Sequence, residues 1–148
     1  MLGKILNYLG YQTKIDSVKK IKFQSFSIKE VGIHKKYFSY AAVEIIKKLN
    51  NNGFNAFIVG GAVRDLIVGL KPKDFDVVTN AKPEQIKKIF RRSRIIGKRF
   101  KLVHVYLRDE TIEVSTFRSK SFDNVTFDSH GRITRDNSFG EQDEDANR

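Results

Sequence analysis

Two aspartates one residue apart, Asp74-Phe75-Asp76, are the most suggestive chemistry in the sequence. In an extended segment successive side chains alternate, so both carboxylates share a face while Phe75 takes the other. Two like charges on one face need a cation, and oxygen donors suit Mg²⁺. Two such ions about 3.5–4 Å apart can activate an attacking hydroxyl and stabilise the leaving oxygen of an in-line displacement. An Asp-x-Asp is also a common turn feature, so its neighbours decide its meaning. Gly60-Gly61-Ala62-Val63-Arg64-Asp65 sets a glycine pair between an apolar run and a helix start. Glycines there let the backbone approach a ligand and offer free N–H groups to a triphosphate, and Arg64 adds a charge-assisted contact. The same pair serves equally well as a tight turn. Gly61 precedes Asp74 by 13 residues, across one helix and a proline turn, so a phosphate cradle and a metal pair can meet at one sheet edge. A third carboxylate, Glu113, shares a strand face with Ser115 opposite Ile112 and Val114, and either completes the acidic cluster or is an exposed strand residue. His104, between Val103 and Val105, reads as a structural strand residue, and neither His34 nor His130 is spaced to form a metal site with it.

These residues must be held by elements that the pattern also outlines. Ala42, Ile45, Ile46 and Leu49 recur at helical spacing from Ser39, and Asn50-Asn51-Asn52-Gly53 stops the run. Phe54 to Val59 reads as a buried strand ended by the glycine pair, and Ala62 to Val68 as a helix stopped at Gly69. Lys71-Pro72 forces a turn, Asp74 to Thr79 is a short strand, and Pro83-Glu84-Gln85 opens a helix with Ile86, Ile89 and Phe90 on one face. Lys101 to Leu107 and Thr111 to Phe117 form a hairpin across Arg108-Asp109-Glu110. Residues 119–140, rich in Ser, Asp, Asn and Gly, read as a long, partly mobile loop, and residues 1–36 as a basic leader with no defensible period. The fold class is α+β, a small mixed sheet flanked by helices.

Charge narrows the function. The chain of 148 residues carries 28 Lys and Arg against 17 Asp and Glu, a net +11. Ten of those cations and one acid lie between Lys82 and Arg108, with Phe90, Phe100 and Tyr106 interleaved. Such a stripe suits a phosphate backbone, Lys87, Arg91, Arg92, Lys98 and Arg99 being the candidate contacts, although a charge run is also simply a solvated face. No cysteine occurs, which excludes disulfides, thiolate metal sites and cysteine nucleophiles. The apolar stretches fall far short of the roughly 20 residues of a membrane span, and no signal-type run opens the chain, so a cytoplasmic protein without membrane partners is expected.

Taken together, Phe57-Ile58-Val59-Gly60-Gly61-Ala62-Val63-Arg64-Asp65, Asp74-Phe75-Asp76 and Ile112-Glu113-Val114-Ser115-Thr116-Phe117-Arg118 resemble the class II nucleotidyltransferases, the family of bacterial poly(A) polymerases and CCA-adding tRNA nucleotidyltransferases. The resemblance runs from about Val31 to Arg148 and implies a nucleotidyltransferase head domain over residues 37–148. It implies that Gly60, Gly61, Arg64 and Asp65 meet the incoming nucleotide, that Asp74 and Asp76 hold magnesium, and that Glu113 is the strand acid. The segment from Arg91 to Val105, Lys71-Pro72-Lys73 and Arg135-Asp136-Asn137-Ser138-Phe139-Gly140 look like the polymerase branch. The expected reaction is transfer of AMP from ATP to RNA 3′-hydroxyl ends, with CCA addition as the alternative. The chain departs from the family pattern at Asp143-Glu144-Asp145-Ala146-Asn147-Arg148, where an Arg-Arg-Asp-Phe-Thr motif would continue. A head truncated at its C-terminal end, active only with a downstream part, is therefore expected. The competing readings are a non-catalytic RNA-binding module, whose aspartates would be structural, and an inactive remnant of an interrupted reading frame. Magnesium-dependent ATP binding separates enzyme from module.

Overall fold

A computed structural model of the chain describes residues 24–120 and 125–146. Residues 1–23 of the expected leader and Arg148 lie outside the described residues. After a short 3₁₀ turn at Lys35–Tyr37, the order is α1 (Tyr40–Asn51), β1 (Ala56–Val59), α2 (Gly61–Ile67), β2 (Asp76–Thr79), α3 (Pro83–Ile89), β3 (Ser93–Ile96), β4 (Leu102–Leu107), β5 (Glu110–Thr116), β6 (Val125–Phe127), β7 (Ile133–Asp136) and α4 (Gln142–Ala146). Strands one to five make a single sheet in the order β1-β2-β5-β4-β3, and β6 pairs with β7 alone. Only the β2–β5 pairing is parallel. A parallel pair needs a crossover, and α3 with β3 and β4 supplies it.

Alternation along the strands gives the sheet two unlike faces. On one, Ile58, Val77, Val114, Val103 and Ile95 are successive cross-strand neighbours, and the three central valines have no exposed surface. Ala42, Ile45 and Leu49 of α1 and Ile86 of α3 cover them, all fully buried. The helical spacing of α1 thus buries one stripe, and Ser39 caps its start by accepting the Ala42 N–H at 3.1 Å. Ser39 also donates to Glu110 Oε2 at 2.6 Å, fastening the helix to the β4–β5 hairpin. That hairpin turns on Arg108 and Asp109, with Glu110 already paired to Leu107. Ile33, at the end of the expected leader, and Tyr37 and Phe38 just after it pack against the same core.

Two regions differ from the sequence reading. The run at 93–96 read as part of a basic stripe, yet Ser93–Ile96 is an edge strand paired antiparallel to β4, with Ser93 buried and Arg94 exposed. Four residues inside a cationic run carry too little apolar period to announce a strand. The expected loop at 119–140 contains the β6–β7 hairpin. Its turn is built by Asp128, whose Oδ1 accepts the N–H groups of His130 and Arg132, both at 2.9 Å, with Gly131 at φ +73°. Such an Asx-type turn stabilises a short hairpin whose strands have little hydrophobic signature.

The turn from β3 to β4 depends on Gly97. Its φ is +92°, and a Cβ there would overlap the Phe100 carbonyl oxygen. Gly97→Ala is expected to cost about 2 kcal/mol or more, from left-handed strain plus the displaced turn. Chemical denaturation followed by circular dichroism measures it, and an unchanged midpoint would contradict this account of the turn.

Candidate active site

The other face of the sheet carries a row of polar side chains. Asp76 opens β2, and its Cα partners are Val59 on β1 and Glu113 on β5. Glu113 in turn faces His104 on β4, and His104 faces Arg94 on the edge strand. One row across the sheet therefore reads Val59, Asp76, Glu113, His104, Arg94. Partners in register project to the same face, so an acidic pair and a basic pair lie side by side. His104 Nε2 is 3.6 Å from Glu113 Oε2, and both side chains are partly exposed. His104 is thus no interior residue. Its position between Val103 and Val105, both buried, carried that signal, because alternation sends it to the opposite face.

Antiparallel pairing of β1 with β2 brings the glycine turn to the aspartates. Since Val59 pairs with Asp76, the chain leaving β1 at Gly60 departs beside the residue that begins β2. Gly60 has φ +71° and ψ −143°, a conformation open to glycine almost alone, and a Cβ there would stand 3.4 Å from Asp76 Oδ2. Asp74 precedes the strand. Phe75 between the two acids is 6% exposed and joins the core, while both carboxylates face solvent. Burial of Phe75 holds the two acids outward.

Asp74 and Asp76 line a cleft of about 500 Å³ with Gly61, Arg64, Asp65, Lys71 and Lys73, and Gly60 stands just outside this lining. Arg64 donates from Nε and Nη2 to Asp65 Oδ1 at 3.0 and 2.8 Å, in an exposed pair that a stronger anion can open. Lys71 and Lys73, read in sequence as the flanks of a proline turn and as part of the resemblance to the polymerase branch but not as site residues, line the cleft. Glu113 is the strand neighbour of Asp76 but does not line this cleft, and Lys87, Arg91, Arg92, Lys98 and Arg99 stand apart from it.

The donor set suits a hard divalent cation. Neither Asp74 nor Asp76 makes an ion pair or hydrogen bond among the described residues, and no three His, Asp or Glu side chains there converge on one ion position. Two free carboxylates without a third ligand fit an ion that completes its shell with water and substrate phosphates, as Mg²⁺ does. The cations of the cleft, Arg64, Lys71 and Lys73, supply charge for those phosphates.

The family model for the poly(A) polymerase head domain matches residues 56–148. Poly(A) polymerase I of Escherichia coli O157:H7 is 48% identical over 123 residues, covering 79% of this chain and 26% of that protein. The CC-adding tRNA nucleotidyltransferase of Halalkalibacterium halodurans is 46% identical over 81 residues, covering 55% of this chain and 22% of that protein. Among solved structures, the Bacillus stearothermophilus CCA-adding enzyme in complex with CTP superposes with a TM-score of 0.53 at 30% identity, over 68% of this chain and 30% of that one. The chain spans about a quarter of the length of the curated relatives it matches.

Asp76→Asn removes one of two adjacent like charges and leaves Phe75 and the strand register in place. The melting temperature is expected to stay within a few degrees, and magnesium-dependent binding of an ATP analogue to weaken about tenfold or more. Scanning calorimetry and fluorescence titration test the pair of outcomes. Normal binding by the variant would remove Asp76 from the metal site.

Proposed function

The chain belongs to the poly(A) polymerase head-domain family, and from that we propose that it supplies the catalytic head for transfer of AMP from ATP to RNA 3′-hydroxyl ends. The observation that carries the reading is extent. Identity with poly(A) polymerase I reaches across 79% of the chain, whereas identity with the CC-adding enzyme stops at 55%. The proposed setting is cytoplasmic RNA processing; no helix among the described residues is long and apolar enough to cross a membrane.

In this reading Gly60 and Gly61 let the triphosphate lie against the backbone, and Arg64 exchanges Asp65 for a phosphate oxygen. Lys71 and Lys73 add charge to the same groups. Asp74 and Asp76 would hold Mg²⁺, which when bound lowers the cost of activating the hydroxyl and of releasing pyrophosphate. Glu113 adds a third negative charge beside Asp76, and His104 faces it from the next strand. The chain's own contribution is thus alignment of the α-phosphate with an attacking hydroxyl, a placement that can lower a barrier by roughly 7–11 kcal/mol. The residues of the cleft address phosphates and metal, which all nucleoside triphosphates share. Selection of adenine needs directional contacts to a base edge.

The test is incubation with a short RNA, magnesium and each labelled nucleoside triphosphate in turn, using the chain and the longest protein that contains it. Incorporation of AMP alone, in runs, is the outcome expected of the longer protein, while the chain by itself is expected not to extend the RNA. Addition of two C and one A to a tRNA lacking its end would establish the CCA-adding alternative. RNA binding without magnesium-dependent ATP binding would establish the non-catalytic module instead.

A further inference from the structure

The basic run of the sequence does not fold into one surface. Strand β3 divides it, with Lys87, Lys88, Arg91 and Arg92 where the chain enters the strand and Lys98, Arg99 and Lys101 where it leaves. The strand between them, Ser93–Ile96, is roughly 13 Å long. The first group is partly spent on structure, since the Lys87 ammonium donates to the backbone carbonyls of Ser93 and Arg91. At the second group a cavity of about 810 Å³ opens between the β3–β4 turn and the β6–β7 hairpin. Lys98, Lys101 and Arg135 line it, together with the hydroxyls of Thr126 and Thr134 and the amide of Asn137.

We propose that this cavity binds the sugar–phosphate backbone of single-stranded RNA through Lys98, Lys101 and Arg135. No carboxylate among the described residues lines it. Lys98 and Arg135 have no acidic partner among the described residues, and Lys101 is 3.3 Å from Glu84 in an exposed pair that a polyanion can displace. Asn137 Oδ1 accepts the Lys101 N–H at 3.2 Å, which leaves its NH₂ group to donate. The Thr134 hydroxyl is spent on the Thr126 carbonyl at 3.0 Å, but the lining cations and the Asn137 amide suit phosphate or ribose, and among the described residues no aromatic ring lines the cavity to stack a base, so binding is independent of sequence.

The walls are held firmly for a surface site. Asp136 N–H donates to the Arg99 carbonyl at 2.6 Å, and the Phe100 ring meets Phe139 edge-on at 5.8 Å with Arg118 above Phe100 at 4.2 Å. The turn and the hairpin are therefore one body, which a glycine at 97 makes possible. Arg94 gives the reason for RNA over a free phosphate. It ends the open-face row that contains Asp76, and Lys98 follows the last residue of the same strand, Ile96, across Gly97. A strand whose 3′ end sits in the cleft can cross the sheet past Arg94 into the cavity. This path rests on the proposed function for its direction, while backbone binding itself does not require catalysis.

Affinity of the chain for a fluorescein-labelled 12-nucleotide single-stranded RNA, measured against KCl concentration without nucleotide, decides the matter. Lys98→Gln with Arg135→Gln should flatten the log–log slope by about 1.4, at roughly 0.7 per lost contact, and weaken binding about tenfold at low salt. Lys98→Arg with Arg135→Lys should restore both, and thermal melting of each variant checks the fold. An unchanged slope in the glutamine variant overturns the proposal, as does failure of the wild-type chain to bind RNA. Loss of slope only in Lys88→Gln with Arg92→Gln moves the site to the other end of β3. Displacement of the RNA by inorganic triphosphate at matched ionic strength shows a free-anion site and also overturns it. Failure of the tailing reading would appear in nucleotide incorporation, which this titration does not contain.

Discussion

The pairing of β2 on both sides is the constraint on which the rest depends. Its antiparallel register with β1 sets Val59 against Asp76, and its parallel register with β5 sets Asp76 against Glu113. Slipping either pairing by one residue would turn Asp76 into the core and Val77 into solvent, so burial of Val77, Val103 and Val114 locks the site as firmly as it locks the fold. The cost of bringing carboxylates together is thereby met by packing on the opposite face.

That division of labour explains why the helices lie on one side. α1 and α3 bring Ile45, Leu49 and Ile86 to the valine face, and Thr79 and Thr116 anchor the strand ends by donating to the carbonyls of Asn55 and Ala81 at 2.6 and 2.7 Å. The open face is left free for Asp76, Glu113, His104 and Arg94. Negative charge lies toward β1 and positive charge toward β3, an ordering that suits a metal-bound triphosphate at one side and a polyanionic strand at the other.

A second structural unit hangs on the far end of the sheet. Phe117 N–H continues the β2–β5 pairing by donating to the Thr79 carbonyl at 2.9 Å, and Gly140 N–H returns to the Phe117 carbonyl at 2.8 Å. The hairpin between them is tied to the β3–β4 turn by aromatic contact and by the Asp136 to Arg99 hydrogen bond. The stretch from Gly97 to Lys101 thus has an architectural duty in addition to its charge. Its glycine, its aromatic ring and its backbone carbonyl hold the hairpin, while its lysines face the cavity.

Much of this was legible in sequence because it is local. The period of α1, the glycine pair at the end of β1, the Asp-Phe-Asp alternation and the β4–β5 hairpin depend on residues a few positions apart, and each was read within a few residues of its observed limits. β3 and the β6–β7 hairpin were not legible, since short edge and satellite strands bury little apolar surface and so lack a hydrophobic period. His104 shows the same boundary from another side: alternation implied its face, but only the β4–β5 register put it beside Glu113. The sequence by itself determined which residues could carry charge, turn the chain or fill the core. Tertiary structure alone decided that Asp76, Glu113, His104 and Arg94 share one row, and that β3 separates the cations of one run into groups at its two ends. Register and strand order arise from contacts between residues distant along the chain, and a linear pattern records which face each side chain takes without recording what stands next to it.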